Sequence, residues 1–484
     1  MKFEAGQHIH FIGIGGFGMS AIARVLLLRG FTVSGSDRNR NDLTDALERD
    51  GATIYQGHDA KYIDGADMVI ATSAVKQDHV EIVAAKEQGI PVYKRNDIIA
   101  PLMDGSAVIA VAGTHGKTTT TSMLIHIERE LGKDPSYIVG GVHGNTGTNA
   151  HHGKDGQFII EADEYDNMFW GIQAGDILLT NVEYDHPDFF KSEQQLVDSF
   201  VHFLNNAPEQ GNVWFCSDFP LACKAVTRND KHEMHYRSYG FGETSLNSWH
   251  YHTQISNVRV DDEGFTLFDF TMGVDQDDEE GDSPQTYTAR IPLPGKHNVL
   301  NAMGALYAYC YYADDADEIK QVVKTLETFK TTGRRFDICG EADGIIVVDD
   351  YAHHPTAITT TLEAVKLRYP DKTVWAVWQP HTYSRTKTLL DDYATAFDSA
   401  DHVLVTDIYA AREKPVDGVT GKTTAQAIQH PHVRHVSGLD DMRQHLIDEV
   451  QSPSVIIIMS AGDAIKIGTA YLQQKLGALT SIGD

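Results

Sequence analysis

The sequence predicts an α/β protein of three domains, each built on a mainly parallel β-sheet. Short strand-like apolar runs alternate with helical segments through most of the chain, which is the pattern of parallel sheets covered by helices. The length of 484 residues allows about three domains of roughly 100–200 residues each. Three stretches each begin with a strand of their own, so we predict domains at residues 1–104, 105–330 and 331–484.

The charge balance is the unusual feature of the composition. Forty Lys and Arg residues against 68 Asp and Glu residues give a formal net charge of −28. Nucleic acid and anionic membranes both attract basic surfaces, so we expect neither as a partner. The N-terminus lacks a signal-peptide pattern, and apolar runs such as residues 455–459 are too short to span a bilayer. We therefore expect a cytoplasmic protein that binds anionic ligands through local positive groups.

A glycine-rich turn opens the first domain. The run HIHFIGI predicts a buried strand, residues 20–29 a helix, and FTVSGSD the next strand. Between the first strand and the helix lies the G-x-G-x-x-G pattern that ends at Gly18, and Asp37 ends the second strand. Such glycines let the backbone approach a diphosphate, and the acidic residue is placed to meet a ribose. On these residues alone, a nicotinamide-dependent dehydrogenase or a purely structural tight turn are the alternatives.

The second domain carries a stronger nucleotide signal. Gly113-Thr114-His115-Gly116-Lys117-Thr118 follows the strand-like AVIAVA and precedes a helical segment. Backbone N–H groups of such a loop cradle phosphate oxygens, the lysine reaches the β- and γ-phosphates, and the next hydroxyl holds magnesium. Val111 stands where the usual pattern has its first glycine. The strand–loop–helix setting nevertheless predicts an ATP site.

Acidic clusters follow the next two strands of this domain. QFIIEADEYD ends with Glu161, Asp163, Glu164 and Asp166, and LLTNVEYDHPD ends with Asp185-His186-Pro187-Asp188. Carboxylates at strand ends beside a phosphate loop are where magnesium is usually held, and a histidine with carboxylates would serve a second cation. A solvated strand end is the alternative for either cluster alone. Their order after a phosphate loop favours the metal sites.

Residues 240–290 depart from the α/β pattern. On either side of a DDEG turn, apolar and polar residues alternate as they do in two antiparallel strands. The acidic run at 276–285 is predicted to be a solvated loop. GKHNVLNA then opens a helix with Asn298 and Asn301 on one face. These two amides either bind a base or phosphate, or merely cap the helix.

The third domain predicts another parallel sheet, with strands IIVVDD, TVWAVWQ, HVLVTD and VIIIM. Polar residues precede the first of these strands, end it, and follow the first two; they are Arg334, Arg335, Asp349, Asp350, Tyr351, His353, His354, His381 and Arg385. Open α/β sheets bind ligands beyond the carboxyl ends of their parallel strands, so a second binding edge is expected here. For each of these residues, the alternative is a surface side chain that makes its hydrogen bonds within the protein or to water and binds no ligand.

In this order, the motifs resemble those of the Mur ligase family. They are GIGGFGMS, GTHGKTTTT, EADEYD, TNVEYDHPD, GKHNVLNA, GRRFD, DDYAHHP and QPHTYSRT, and they span nearly the whole chain outside the acidic run. The resemblance implies an N-terminal Rossmann-like domain for a UDP-sugar, a central P-loop ATPase domain, and a C-terminal Rossmann-like domain for an amino acid and part of ATP. The glycine-rich turn would then bind UDP rather than a nicotinamide.

The resemblance also implies an activity. It points to the branch of the family that joins L-alanine to the lactyl carboxylate of UDP-N-acetylmuramate through an acyl phosphate, using ATP and Mg²⁺, as a monomer or homodimer. The branch that attaches L-alanyl-γ-D-glutamyl-meso-diaminopimelate to the same UDP-sugar shares the catalytic motifs and stays an alternative. GIGGFGMS and DGVTG favour the alanine branch. A catalytically dead nucleotide-binding regulator is a further alternative, which the presence of Lys117, Glu161 and His186 together disfavours.

Roles carry over motif by motif. The implied ATP-binding residues are Gly113, Thr114, His115, Gly116, Lys117, Thr118, Thr119, Asn298, Asn301, Arg335 and Asp350, with Lys117 on the γ-phosphate and the asparagines on the adenine side. The implied UDP-sugar residues are Gly15, Gly16, Phe17, Gly18, Met19, Ser20, Asp37 and Ser73, and the metal ligands are Thr118, Glu161 and His186. The catalytic residues would be Lys117, Glu161, His186, His353 and Arg385, where His353 is a candidate base and Arg385 lies near the incoming alanine. Thr382 departs from the family, because some relatives carry a second arginine there, so the resemblance implies that recognition of the alanine carboxylate rests more on Arg385.

Overall fold

The computed structural model describes residues 3–231, 233–242, 252–272, 285–313 and 315–480, with the backbone alone at 477–480. Its regular elements form three separate sheets along the chain. The acidic run predicted to be a solvated loop at 276–285 lies outside the described residues, apart from Gln285.

The first sheet contains five parallel strands. They are β1 (His8–Ile12), β2 (Thr32–Asp37), β3 (Thr53–Gln56), β4 (Met68–Ala71) and β5 (Val92–Lys94), and the helices around them are α1 (Phe17–Leu28), α2 (Asp42–Arg49), α3 (Val80–Glu87) and α4 (Arg95–Met103). The strand order is β3-β2-β1-β4-β5, which is the order of Rossmann-like nucleotide-binding units. The helix predicted from residue 20 begins at Phe17, immediately after the glycine turn.

The second sheet has ten strands. They are β6 (Ala107–Ala112), β7 (Ser136–Ile138), β8 (Ala150–His151), β9 (Gln157–Ala162), β10 (Asp176–Leu179), β11 (Asn212–Cys216), β12 (His235–Gly240), β13 (His252–Val260), β14 (Thr266–Thr271) and β15 (Thr286–Ile291). The helices are α5 (Lys117–Glu130), α6 (Glu193–Asn205), α7 (Pro220–Thr227), α8 (Lys296–Cys310) and α9 (Ala316–Thr325). The strand order is β15-β14-β13-β12-β11-β10-β6-β9-β7-β8. The antiparallel pair predicted around the DDEG turn is confirmed as β13 and β14.

The place of β6 in this sheet positions the site. It lies between β9 and β10 and runs parallel to both. The phosphate loop that follows β6 therefore has the acidic end of β9 on one side and the TNVEYDHPD segment after β10 on the other. Residues far apart in the sequence meet here because the carboxyl ends of parallel strands share one edge of the sheet.

The third sheet has six strands. They are β16 (Asp337–Ala342), β17 (Ile345–Asp350), β18 (Thr373–Gln379), β19 (His402–Val405), β20 (Val433–His435) and β21 (Ser454–Ser460). The helices are α10 (Pro355–Arg368), α11 (Tyr383–Thr388), α12 (Leu390–Tyr393), α13 (Gly421–Ala427), α14 (Leu439–Glu449) and α15 (Ile465–Thr480). The order is β16-β17-β21-β18-β19-β20, and only β16 runs antiparallel to its neighbour.

Apolar side chains join the three sheets. Ile98 and Ile99 of α4 belong to the same buried cluster as Phe169, after β9. Val299 of α8 shares another cluster with Ile358 of α10. The predicted three-part α/β fold is thus confirmed, whereas the boundaries after residues 104 and 330 stay predictions. Among the described helices, none combines the length and apolar character needed to cross a bilayer.

Candidate active site

A cavity of about 890 Å³ lies where the three sheets meet. Its lining comes from the glycine turn of the first sheet, from the phosphate loop and strand ends of the second, and from the strand ends of the third. All five residues predicted for catalysis line it: Lys117, Glu161, His186, His353 and Arg385. So do the predicted ATP-binding residues except Gly113, together with Phe17 and Gly18 of the predicted UDP-sugar set.

Hydrogen bonds hold the phosphate loop against the segment after β10. The Asn181 side chain accepts from the His115 amide at 2.8 Å and donates to the His115 carbonyl at 2.9 Å. Thr180 donates to the same carbonyl at 2.6 Å. Gly113, at φ 139°, passes so close that a Cβ there would lie 2.2 Å from the Thr180 hydroxyl. The loop conformation is therefore set by neighbouring side chains, and Gly113 is needed for the close approach.

Lys117 lies folded over this loop. Its Nζ donates to the Gly113 carbonyl at 2.6 Å and to the Glu164 carboxylate at 2.7 Å. Burial would lower the pKa of Lys117, but the charges of Glu164 and Asp163 outweigh burial and raise it. The ammonium is thus charged and held beside the loop amides, where a phosphate oxygen would replace one of its present acceptors.

Thr118 and Glu161 form the first candidate cation site. The Thr118 hydroxyl donates to Glu161 Oε1 at 2.8 Å, and Glu161 Oε2 accepts from the Gly140 amide at 2.6 Å. Burial raises the pKa of Glu161 against the opposing charge of Lys117. A buried carboxylate beside a hydroxyl offers the hard oxygen atoms that Mg²⁺ prefers, so these residues fit the ion.

Glu164 and His186 form a second candidate cation site. Glu164 Oε1 is buried without a hydrogen-bond partner, and His186 Nε2 lies 3.5 Å away. Burial alone would lower the pKa of His186, but Asp185 and Glu164 raise it. An orphaned carboxylate oxygen facing an imidazole nitrogen suits a cation. The predicted ligands Thr118, Glu161 and His186 thus divide between two neighbouring positions, and their role in binding magnesium stays a prediction.

Arg385 links the second sheet to the third. Its Nε donates to Asp185 at 2.7 Å, and both side chains are buried. Its Nη1 donates to His381 Nδ1 at 2.9 Å, and its Nη2 lies 3.3 Å from His186 Nδ1. Burial would raise the pKa of Asp185, but the Arg385 charge holds it well below its usual range. The ion pair therefore joins the TNVEYDHPD and QPHTYSRT segments across the cavity.

His353 is held as a neutral base at this end. Burial and the nearby charge of Arg385 keep its pKa well below the usual histidine value. Its Nδ1 lies 2.8 Å from the Tyr351 carbonyl, which only accepts, so Nδ1 carries the hydrogen. The other ring nitrogen, Nε2, then carries a lone pair that is able to accept a proton.

A third contact between these sheets involves His115 of the phosphate loop. Its Nε2 lies 3.2 Å from the Glu183 carboxylate, and its ring centroid is 4.6 Å from that of His354. The Thr356 hydroxyl donates to Glu183 at 3.1 Å. The N-terminus of α10 thereby rests on the phosphate loop and closes the cavity on that side.

The predicted adenine and ribose residues lie at this side. Asn301 Nδ2 donates to Asn298 Oδ1 at 3.3 Å, and a Cβ on Gly116 would lie 2.1 Å from Asn301 Oδ1. Asn298 Nδ2 donates to the Pro294 carbonyl at 2.8 Å, and the N-cap of α8 is Gly295, which has no side-chain cap. The Asp350 carboxylate accepts from the backbone amides of Phe336 and Ala352, which shapes the turns around it.

The glycine turn of the first sheet is only partly open to the cavity. Asp37 Oδ2 accepts from the Gly15 amide at 2.9 Å. The side chains of Met19 and Ser20 are packed inside, with exposures of 4% and 1%, so a ligand would reach these residues only through their backbone. Ser73 is exposed on the turn after β4 and, with Gly15, Gly16 and Asp37, lies outside the cavity lining.

Several site residues are absent from the predicted set. Asn181 and Glu183 are letters of the TNVEYDHPD motif, whose alternation after a strand is the signal that would have found them. Arg95 was not singled out by any motif; its guanidinium lies against Gly18, where a Cβ would be 2.0 Å away. Arg95 also pairs with Asp163 at 3.8 Å.

Backbone strain also marks the site. Nine non-glycine residues in the described part of the chain have positive φ. Five of them line the cavity, namely His186, Arg334, Phe336, Thr382 and Ala411. Such conformations persist where surrounding contacts impose them, and they concentrate at functional sites.

The fold and this cavity define an ATP-dependent enzyme with a phosphate loop in its central sheet and a ligand-binding edge on each neighbouring sheet. Residues 8–107 match the model described as Mur ligase family, catalytic domain; residues 111–309 match the Mur ligase middle domain; and residues 334–462 match the Mur ligase, glutamate ligase domain. The chain therefore belongs to the Mur ligase family.

Curated relatives match over nearly the full length. The UDP-N-acetylmuramate–L-alanine ligase of Caldanaerobacter subterraneus subsp. tengcongensis is 36% identical over 478 residues, covering 98% of this chain and 99% of the relative. The enzyme of the same name from Roseiflexus sp. is 38% identical over 479 residues, covering 96% and 98%.

Solved structures agree in fold. The UDP-N-acetylmuramate-alanine ligase of Thermotoga maritima superposes with a TM-score of 0.76 at 26% identity, covering 97% of this chain and 99% of that one. A murein peptide ligase from Psychrobacter arcticus gives a TM-score of 0.69 at 27% identity, covering 97% and 98%.

Proposed function

We propose that this chain joins L-alanine to the lactyl carboxylate of UDP-N-acetylmuramate, with conversion of ATP to ADP and phosphate. One observation carries the proposal: a single cavity brings the phosphate-loop lysine, Lys117, together with the neutral His353 and the buried Arg385 of the third sheet. Phosphoryl transfer and attack by an amine therefore have their residues in one place. The curated relatives described above bear the name of this activity, and we propose the cytoplasm as its location.

The reaction begins at the phosphate loop. The lactyl carboxylate attacks the γ-phosphorus of ATP, the bond from that phosphorus to the ADP oxygen breaks, and an acyl phosphate forms. The ammonium of Lys117 and the loop amides neutralise charge on the transferring group. Magnesium bound with ATP would supply further neutralisation; Thr118 and Glu161 would hold one ion, and Glu164 with His186 would fit a second.

The second step is amide formation. The amine nitrogen of L-alanine attacks the acyl carbon, and inorganic phosphate leaves from the tetrahedral intermediate. The nitrogen must lose a proton during this step, and Nε2 of His353 is the acceptor that the geometry favours. The contacts of Arg385 to Asp185 and His381 keep these groups at fixed positions around the acyl carbon.

A murein peptide ligase is among the similar solved structures, so a peptide substrate is the second candidate. The test is phosphate release from ATP in the presence of magnesium and UDP-N-acetylmuramate, with either L-alanine or L-alanyl-γ-D-glutamyl-meso-diaminopimelate. We expect release with L-alanine. Release with the tripeptide alone would overturn the alanine assignment and keep the ATP chemistry.

A further inference from the structure

Six lysine and arginine side chains line the cavity, and acidic partners already neutralise four of them. The pairs are Arg95 with Asp163, Lys117 with Glu164, Arg334 with Asp349, and Arg385 with Asp185. Among the residues that the structure describes, Arg335 and Arg412 are the two lining cations with no ion pair. An anionic substrate group in a protein of net charge −28 needs such an uncommitted cation.

Arg335 and Arg412 have different neighbours in the cavity lining. The Arg335 guanidinium carbon is 4.8 Å from the Tyr351 ring centroid, and its charge acts on Glu161 in the first candidate cation site. Arg412 lies near Tyr165, whose hydroxyl donates to Asp188 at 2.8 Å. Arg335 thus lies beside the first candidate cation site, whereas Arg412 lies near Tyr165, whose ring centroid is 5.0 Å from that of His186.

Backbone hydrogen bonds hold the Arg412 loop against the segment that precedes α11. The Tyr409 amide donates to the Pro380 carbonyl at 2.8 Å, and the Thr382 amide donates to the Tyr409 carbonyl at 2.9 Å. Ala411, immediately before Arg412, has a left-handed φ of 51°. The loop therefore turns sharply beside Thr382 and directs its next residue to the cavity wall.

The other side of Arg412 is anchored as well. The Glu413 carboxylate accepts from the backbone amides of Tyr383 at 2.6 Å and Ser384 at 2.9 Å. Glu413 is consequently bonded to the N-terminus of α11, and among the described residues it forms no ion pair with Arg412. The backbone on both sides of Arg412 is therefore fixed, so binding of a ligand would have to order only the side chain.

The resemblance implies that Arg385 contacts the alanine carboxylate, but its present partners leave Arg385 little capacity for a substrate carboxylate. Its charge is matched by Asp185 within the buried pair, and its other nitrogens face His381 and His186. Thr382 contributes a short uncharged side chain to the same wall. This leaves Arg412 as the cation at the amino-acid end whose charge is not already balanced.

We propose that the Arg412 guanidinium binds the α-carboxylate of the incoming L-alanine. This inference rests on the proposed function and assigns the specificity of its second substrate. A planar guanidinium matches a carboxylate through two parallel hydrogen bonds, so it fixes the orientation of the amine as well as the affinity.

The first test is Arg412→Gln, assayed by phosphate release under steady-state conditions. We expect the KM for L-alanine to rise about ten- to hundredfold, as for the loss of a charged hydrogen-bonding partner, while the KM values for ATP and UDP-N-acetylmuramate change less than about twofold. Arg412→Lys keeps the positive charge but lacks the two parallel N–H donors of a guanidinium. Its KM for L-alanine should therefore lie between those of the wild type and Arg412→Gln.

A second substrate separates carboxylate binding from a general distortion of the site. The wild type should use L-alaninamide much less well than L-alanine, because the amide lacks the negative charge. In Arg412→Gln the ratio of kcat/KM for L-alanine to kcat/KM for L-alaninamide should fall by the same factor as kcat/KM for L-alanine. Equal losses on both amines, or an unchanged KM for L-alanine, would overturn the proposal.

Two further variants complete the design. Lys414→Gln removes the same charge from the same loop outside the cavity lining, and it should leave the KM for L-alanine unchanged. Thr382→Arg introduced into Arg412→Gln should restore part of the lost affinity, because it returns a guanidinium to the adjacent position. Wild-type protein without turnover on L-alanine would instead refute the proposed function, which keeps the two failures distinguishable.

Discussion

At the phosphate end of the cavity, neighbouring strands of one sheet hold the loop, whereas at the amino-acid end side chains of two sheets hold each other. Asn181 fixes the loop from the next strand of the same sheet. Arg385 and Asp185 meet across sheets, from positions separated by 200 residues. The phosphate end therefore depends on local backbone geometry, and the amino-acid end depends on how the second and third sheets are placed.

Because of this difference, we expect substitutions at the two ends to impair the protein in different ways. Damage at the phosphate end should remove ATP chemistry and leave the fold intact. Damage at the Asp185–Arg385 pair should weaken folding and catalysis together, because a buried charge loses its partner.

The largest effect is expected for Lys117→Ala. Removal of the ammonium should lower turnover by about a thousandfold or more, since charge on the transferring phosphoryl group loses its nearest cation. Binding of UDP-N-acetylmuramate, measured by calorimetry, should be largely unchanged. Lys154→Ala, which removes an exposed lysine, is the control and should retain activity. Loss of UDP-sugar binding in Lys117→Ala would contradict the separation of the two ends.

Asp185→Asn should have the next largest effect. It leaves Arg385 buried without a counter-charge, and we expect the free energy of unfolding to fall by about 3–5 kcal/mol. Urea denaturation measures this change. The double variant Asp185→Asn/Arg385→Gln should be more stable than the single variant, because neither charge remains unpaired. A single variant as stable as the wild type would show that the pair does not join the sheets.

Asn181→Ala should have a smaller effect, confined to the phosphate end. Two hydrogen bonds to the His115 backbone are lost, and we expect the KM for ATP to rise about tenfold. The KM for L-alanine should stay the same. A larger change for L-alanine than for ATP would show that the loop is not held independently of the third sheet.

The smallest expected effect is the dependence of kcat on pH. The neutral form of His353 accepts the proton in the proposed mechanism, and its pKa lies well below the ordinary value of 6.5. Protonation of this group therefore becomes limiting only below pH 6.5, and kcat should change little between neutral pH and that value. A kcat profile that falls with a midpoint at or above 6.5 would exclude His353 as the acceptor.

The two ends also differ in how far the sequence predicts them. The loop around Lys117 and the acid at Glu161 follow from a strand–loop–helix pattern, because local backbone geometry dictates which residue types fit. The partners Asp185 and Arg385 were each found as a polar residue after a strand, but their contact depends on tertiary placement. Arg412 belongs to no motif that was singled out, since its position is fixed by backbone hydrogen bonds to a segment far away in the chain.

Thr382 adopts φ 63° and ψ 148°, a backbone conformation close to one that is otherwise almost restricted to glycine. Glycine would adopt it without the steric cost, which for other residues is about 1–3 kcal/mol. Selection for heat resistance alone should therefore enrich glycine at position 382. Such chains would keep the hydrogen bond from the backbone amide of residue 382 to the Tyr409 carbonyl, so the loop that carries Arg412 would stay in place.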